Sequence, residues 1–274
     1  MSFTAIEQPS YVLGHSEREL DRLSRQATAF EPFTRQLLLE AGIKPGMRVL
    51  DVGCGSGDVA LLVAEMIGRL GMVVGVDRAD AAVERAQSRA KTRGLSNVHF
   101  VTGDPVELGF EYRFDAVVGR LVLMYYPDAV TAVRKLSRLV KPGGLVVFQE
   151  LDEENCRSFP PAPTFECATS WIKQALKLSG ARPQTGLQLY SIFLSAGLPA
   201  PWLRMDARVG TGSDPTVDLM AEVVESLLPA IQRFGVASAE EVEIGSLGRR
   251  LHEEIVALQA TVLSPALIGA WTRT

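Results

Sequence analysis

Between Met47 and Glu150 the chain alternates short, nearly continuous apolar runs with segments patterned as helices. The runs are MRVLDV (47–52), MVVGV (72–76), NVHFV (97–101), FDAVVG (114–119) and GLVVFQE (144–150). Between them lie GDVALLVAEMIGRL, DAAVERAQSRAKTRG and DAVTAVRKLSRLV, with KPGG as the turn into the last run. A strand that is apolar at nearly every position has no solvent face, so it must be covered on both sides. The expected fold is therefore α/β, with a doubly wound, mostly parallel sheet between two helical layers. In such sheets ligands bind beyond the carboxyl ends of the strands, where the strand order switches.

The flanks read differently. Residues 16–28 and 32–41 are expected as two helices, the second with Pro32 in its first turn. After Glu150 the rhythm breaks: residues 151–170 are proline-rich and irregular, helices are expected near 171–179 and 185–196, and a strand over 202–209. A mostly helical insertion covers about 215–260, where Ser238 and Glu241 have capping-box spacing. ALIGAWTRT (266–274) is the expected last strand. The division is a helical leader (1–43), a core (44–150) and the remaining strands with a helical cap (151–274), all in a single domain.

With 274 residues, 47% of them hydrophobic, the chain can bury a large core. Its 28 basic and 32 acidic residues give a net charge of −4, which offers no basic footprint for nucleic acid. Cys54, Cys156 and Cys167 are too scattered for a disulfide framework or a metal site. The N-terminus lacks the pattern of a signal peptide, and no apolar stretch has the length of a membrane span. A soluble, cytosolic protein with no membrane partner is expected.

VLDVGCGSGDVA (49–60) is the most informative stretch. Gly53, Gly55 and Gly57 can take positive φ and let a ligand approach bare backbone. A strand, such a turn and then a helix leave free N–H groups and a positive helix end facing one spot, which favours an anion. Dinucleotide folds want G-x-G-x-x-G. Here the third place is Asp58, and an acid at the helix start repels a pyrophosphate, so a nicotinamide oxidoreductase is disfavoured. With Asp51 two residues ahead of Gly53, the pattern suits a smaller, less anionic nucleoside.

These residues resemble a known family. DVGCGSG is similar to the first motif of the S-adenosylmethionine (SAM)-dependent methyltransferases with a seven-stranded Rossmann-like sheet, whose last strand is antiparallel. VVGVD, VTGDP, FDAVVGRLVLMYYPD and LVKPGGLVVFQE resemble its next four pieces, in the same order. The resemblance implies that the turn of Gly53, Gly55 and Gly57 holds the amino-acid tail of SAM and that Asp77 holds the ribose hydroxyls, with Asp51 a further cofactor-binding candidate. It also implies that Asp104 contacts the adenine and that the Arg120 backbone lies beside the sulfur. Arg78, Gly103 and Pro105, next to the two acids, join the cofactor-binding candidates. The leader YVLGHSERELDRLSRQA is similar to one in small-molecule members, including relatives of the ubiquinone and menaquinone methyltransferases. By that likeness Tyr11 and His15 close over the methionine end.

Methyl transfer from a sulfonium is an in-line displacement, accelerated by positioning and leaving S-adenosylhomocysteine (SAH). Aromatic faces at Tyr11, Tyr125 and Tyr126 could hold the cation. A hydroxyl or carbon acceptor needs a base, for which His15 and Glu150 are the candidates; His252, among charged neighbours, is expected on a solvated helix face. Cys54 is expected to pack beneath the turn. The paired acids of magnesium-dependent O-methylation are not recognisable, so no metal is expected. Phe159, Phe165, Trp171 and Phe193 point to a largely apolar small-molecule acceptor, while the run 217–231 covers core by default. A non-catalytic SAM-binding regulator and a methyltransferase acting on RNA or protein remain as alternatives.

Overall fold

The computed structural model describes residues 17–212 and 214–274. Helix α1 (Glu17–Ala41) leads into β1 (Arg48–Val52), α2 (Asp58–Ile67), β2 (Met72–Asp77), α3 (Asp80–Thr92) and β3 (Val98–Thr102). Then come β4 (Phe114–Arg120), α4 (Ala129–Ser137), β5 (Val140–Asp152), β6 (Arg157–Phe159), α5 (Pro163–Leu178) and α6 (Thr185–Ser195). The chain continues through β7 (Trp202–Asp206), β8 (Val209–Gly210), α7 (Pro215–Arg233), α8 (Ala239–Val242), α9 (Ile244–Ala257), β9 (Thr261–Leu263) and β10 (Ala266–Arg273).

Seven strands form one sheet in the order β3-β2-β1-β4-β5-β10-β7. The first five pair parallel, and β10 runs antiparallel between β5 and β7. This is the expected fold, including the direction of the last strand. Side-chain alternation explains the two layers. On β1, Val49 points into a cluster with Leu37, Leu61 and Val83 from α1, α2 and α3. Its neighbour Leu50 points the other way, towards Val133 and Leu136 of α4 and Leu189 and Phe193 of α6. A third cluster joins α5, α7 and α9 through Phe165, Ile172, Val224, Leu227 and Leu251.

Four local expectations are corrected. Residues 17–41 form one helix through Pro32 rather than two. A proline inside a helix forfeits one backbone hydrogen bond and crowds the preceding turn. Burial on both sides of it, at Ala27 before and at Thr34, Leu37, Leu38 and Ala41 after, outweighs that cost. Strand β5 starts at Val140 and absorbs the expected KPGG turn as a register shift opposite Phe114–Ala116. It also runs on to Asp152, because β10 pairs with it that far.

The proline-rich segment is not irregular throughout. Pro163 opens α5 in its first turn, where a missing N–H costs nothing. The Glu254 carboxylate then accepts from the Thr164 and Phe165 N–H groups and caps the helix. The expected strand 202–209 is split: β7 edges the large sheet, whereas β8 joins β9 and β6 in a small antiparallel sheet that sequence reading missed. The Ser238–Glu241 capping box is present.

Helix α1 is seated on the sheet at one tight point. A Cβ at Gly269 of β10 would lie 2.4 Å from Leu37 Cδ1 and 3.0 Å from its Cγ. Leu37 is buried and has nowhere to move. Gly269→Ala is therefore expected to destabilise the protein by about 1–3 kcal/mol in a denaturant melt. Adding Leu37→Ala should make the two effects markedly non-additive; simple additivity contradicts this contact.

Candidate active site

The three glycines after β1 all have positive φ, for three different reasons. A Cβ at Gly53 would meet Val122 Cγ2 at 2.4 Å. One at Gly57 would meet Ala86 and Phe100 at 3.0 Å, beneath the start of α2. At Gly55 no atom of the described residues lies within 4 Å of such a Cβ, and Gly55 lines the cavity. The turn is tied to β2 by the Cys54 N–H donating to the Val76 carbonyl at 3.0 Å. The Gly55 N–H donates to Asp77 Oδ2 at 2.8 Å, and the Ala79 N–H donates to Asp77 Oδ1 at 3.0 Å.

A cavity of about 550 Å³ opens over this turn. Helix α1 roofs it with Arg22, Gln26, Ala27 and Phe30, and α5 and α7 close the far side with Ile172, Leu176, Val223 and Leu227. The roof is fastened to the cap by Arg25 paired with Glu222 of α7 at 3.0 Å, and by Arg208 donating to the Ala29 carbonyl at 2.7 Å.

Asp51 lines the cavity although it is only 1% exposed. One oxygen receives a hydrogen bond from the Ala60 backbone, and Oδ2 has no hydrogen-bond partner among the described residues. Burial pushes its pKa up to about 8, against the pull of the Arg120 guanidinium. Arg120 itself is lowered by burial; it donates to Thr34 Oγ1 at 3.0 Å and lies 6.0 Å from the Phe30 ring centre. Asp58, at the first turn of α2, pairs with Arg89 at 2.7 Å. The site thus offers backbone free of side chains, an arginine and a buried carboxyl oxygen open to a donor, a set that fits an α-amino acid group.

The candidates from sequence divide as follows. Asp51, Gly53, Gly55, Asp77, Arg78, Pro105 and Arg120 come together around the cavity, as do Tyr125 and Tyr126. Gly57 and Gly103 lie behind it: Gly57 supports the turn, and the Gly103 N–H donates to the Asp77 carbonyl. Asp104 does not line the cavity. Its carboxylate accepts from Arg78 at 2.5 Å, from the Val106 N–H at 2.9 Å and from the Tyr126 hydroxyl at 3.5 Å. Burial and the Asp104 charge raise the Tyr126 phenol. Tyr11 and His15 lie outside the described residues.

Glu150 is not placed to act as a base. It is fully buried and faces away from the cavity, accepting from the backbone N–H groups of Val122, Leu123 and Met124 at 2.9, 2.7 and 3.4 Å. Burial raises it to about 7, and those three donors hold it down. It shapes the loop after β4, where Leu121 takes a positive φ of 55° and Val122 covers Gly53. His252 is not simply solvated: its ring bonds the Gly212 carbonyl and Asp218, which raises its pKa, and it lies away from the cavity.

The four aromatics expected near an acceptor are elsewhere. Phe165 and Phe193 are in the core and Phe159 is 80% exposed. On α5 the helical phase turns Ile172 and Leu176 to the cavity in place of Trp171. Sequence reading missed Glu153, a carboxyl on the cavity wall only 6% exposed. The signal is present in DEEN (152–155): β5 runs two residues beyond the expected strand end, which puts Glu153 rather than Glu150 just past it. The roof residues of α1 were also missed, while the run 217–231 supplies Val223 and Leu227.

A family profile described as a methyltransferase domain matches residues 43–195, more than half of the chain, and the chain belongs to that family. A demethylmenaquinone methyltransferase of Staphylococcus aureus is 32% identical over 164 residues, which cover 58% of this chain and 64% of that protein. The match therefore spans less than two thirds of the curated relative. Among solved structures, a methyltransferase candidate from Bacillus halodurans superposes with a TM-score of 0.58 at 18% identity, covering 88% of this chain and 97% of that one. Coclaurine N-methyltransferase superposes with a TM-score of 0.53 at 15% identity, over 90% and 73% of the two chains. At these identities the structural neighbours speak for the fold alone.

Two outcomes follow for the buried acids. Glu150→Gln keeps an oxygen for the Val122 and Leu123 N–H groups and should cost little stability. Glu150→Ala leaves three donors unsatisfied and should cost about 2–4 kcal/mol in a denaturant melt; equal stability of the two variants contradicts the structural role. For Asp51 the folded pKa is raised, from 3.8 to about 8. The stability it contributes is full below the lower value and is lost as pH rises through the upper one. Asp51→Asn should thus flatten that part of the profile and make the free protein more stable at pH 9, by on the order of 2 kcal/mol.

Proposed function

We propose that this member of the methyltransferase domain family binds SAM in the cavity under α1 and passes its methyl group to a small, largely apolar organic acceptor. The observation that carries this reading is Asp51 Oδ2, a buried oxygen without a partner among the described residues, beside the bare backbone of the glycine turn. An unpaired buried carboxylate is costly, and an ammonium group is the complementary ligand. The ligand's carboxylate would lie against the turn, within reach of the Arg120 charge. Each Asp77 oxygen already accepts one backbone N–H and can accept a ribose hydroxyl as well. Asp104 does not line the cavity and is held by Arg78, Val106 and Tyr126, so its contact with an adenine amino group requires a local rearrangement.

When bound, SAM supplies a methyl carbon made electrophilic by its sulfonium. The protein's part is to orient and to exclude water. Helix α1 covers the turn, the Tyr125 and Tyr126 rings border the cavity, and Met124, Leu151, Ile172, Leu176, Val223 and Leu227 give the far wall its apolar character. A cavity of about 550 Å³ is in the range of sites for small molecules. The name of the Staphylococcus aureus relative points to a quinone-type acceptor for that protein. Helix α7, which builds part of the acceptor wall here, lies beyond the matched residues 43–195, so the acceptor of this chain is set by its own cap.

Calorimetric titration of SAH tests the reading. Wild type should bind, and Asp77→Ala should lower affinity by about 10–100-fold through loss of the ribose contacts and of the Gly55 tether. Because burial keeps Asp51 protonated up to about pH 8, an incoming ammonium must displace its proton. At pH 7 the binding enthalpy should therefore vary with the ionisation enthalpy of the buffer, and Asp51→Asn should abolish that dependence. Absence of SAH binding, or binding indifferent to both substitutions, overturns the assignment.

A further inference from the structure

The far wall of the cavity is apolar at Met124, Leu151, Ile172, Leu176 and Leu227, and one carboxyl interrupts it. Glu153 follows the last residue of β5 and is 6% exposed. Its backbone is fixed: the N–H donates to the Pro183 carbonyl at 3.0 Å, and its carbonyl accepts from the Cys156 N–H at 3.2 Å. Its carboxyl makes no hydrogen bond or ion pair with the described residues. The nearest cation that acts on it, Lys173 of α5, is paired with Glu154 at 3.3 Å. On its own segment Asp152 and Glu154 are the other charges that act on it.

A buried carboxyl without a partner is costly, and native structures rarely keep one without a use. Glu150 and Glu254 show how this chain satisfies a carboxylate that only supports the fold, with three and two backbone N–H groups respectively. Glu153 has none among the described residues and lines the cavity.

We propose that Glu153 is the residue that recognises the acceptor, binding an N–H or O–H group on an apolar body and taking its proton as that nitrogen or oxygen is methylated. This rests on the methyltransferase reading above. The acceptor's nitrogen or oxygen forms a bond to the methyl carbon, and the carbon–sulfur bond breaks with its electron pair staying on sulfur. The proton moves to the Glu153 carboxylate and leaves to solvent with product release. Burial holds Glu153 at about 7, with Lys173 opposing, so it exchanges a proton near neutral pH.

The test uses two pairs of probes that differ by one polar group: naphthol with methylnaphthalene, and tetrahydroisoquinoline with tetralin. Each is titrated into SAH-saturated wild type, Glu153→Gln and Glu153→Leu, after SAH itself. SAH should bind all three proteins equally. Wild type should favour at least one polar member over its hydrocarbon partner by about tenfold, a preference that shrinks in Glu153→Gln and vanishes in Glu153→Leu. Turnover of the favoured probe with SAM should rise with pH through about 7 in wild type and be flat in Glu153→Gln. No preference in wild type, or a preference kept by both variants, overturns the role of Glu153. If wild type fails to bind SAH, the methyltransferase reading falls instead, and the same pairs titrated into the free protein still report on Glu153.

Discussion

The hydrogen bond from the Gly55 N–H to the Asp77 carboxylate ties the turn after β1 to the end of β2, and the shape of the cavity follows from that tie. β1 lies between β2 and β4, so the chain leaves it in one direction and returns on the other side. The crevice at that switch is where open parallel sheets receive ligands. Here the crevice is lined by backbone. Gly53 lets Val122 close in from the β4 side, Gly57 lets Phe100 close in from below, and Gly55 leaves the space above it free. A side chain at any of the three would need a strained left-handed conformation, and at Gly53 it would also collide with Val122.

Three buried acids around this turn have different supplies of hydrogen-bond donors, and the difference separates their roles. Glu150 receives three backbone N–H groups and braces the loop after β4. Asp51 has one backbone bond and one orphaned oxygen, in line with a ligand that completes the set. Glu153 has no such bond to the described residues and lines the same cavity past the end of β5. Burial raises all three, to about 8 for Asp51 and about 7 for the two glutamates. An acid held that way is unstable in charged form until a donor arrives. The free protein therefore keeps Asp51 uncharged at neutral pH and holds Glu153 close to its titration point, so both acids favour a ligand that brings a donor.

The sheet was legible because its central strands are apolar and buried at nearly every position, with no polar face, a pattern few other folds accept. The glycine turn was legible because its backbone demand excludes other residue types. What failed was set by tertiary context. Pro32 did not break α1, since the helix is buried on both sides of it. The end of β5 was set by its partner β10, and that displaced attention from Glu153 to Glu150. The small sheet of β6, β9 and β8 joins segments far apart in sequence, too short for any local signal. The cap's contribution, Val223 and Leu227 on one face of an amphipathic helix, cannot be told from core by periodicity, because both ask for the same spacing.

The central claim is that the orphaned Asp51 oxygen and the glycine turn together hold the amino-acid end of a sulfonium nucleoside. The most direct measurement is a crystal structure of the protein grown with SAH. The account predicts the ligand's amino group within hydrogen-bond distance of Asp51 Oδ2, its carboxylate against the turn, and its sulfur facing the wall that carries Glu153. Density for SAH in another orientation, or at another place with Asp51 still lacking a donor, would contradict it.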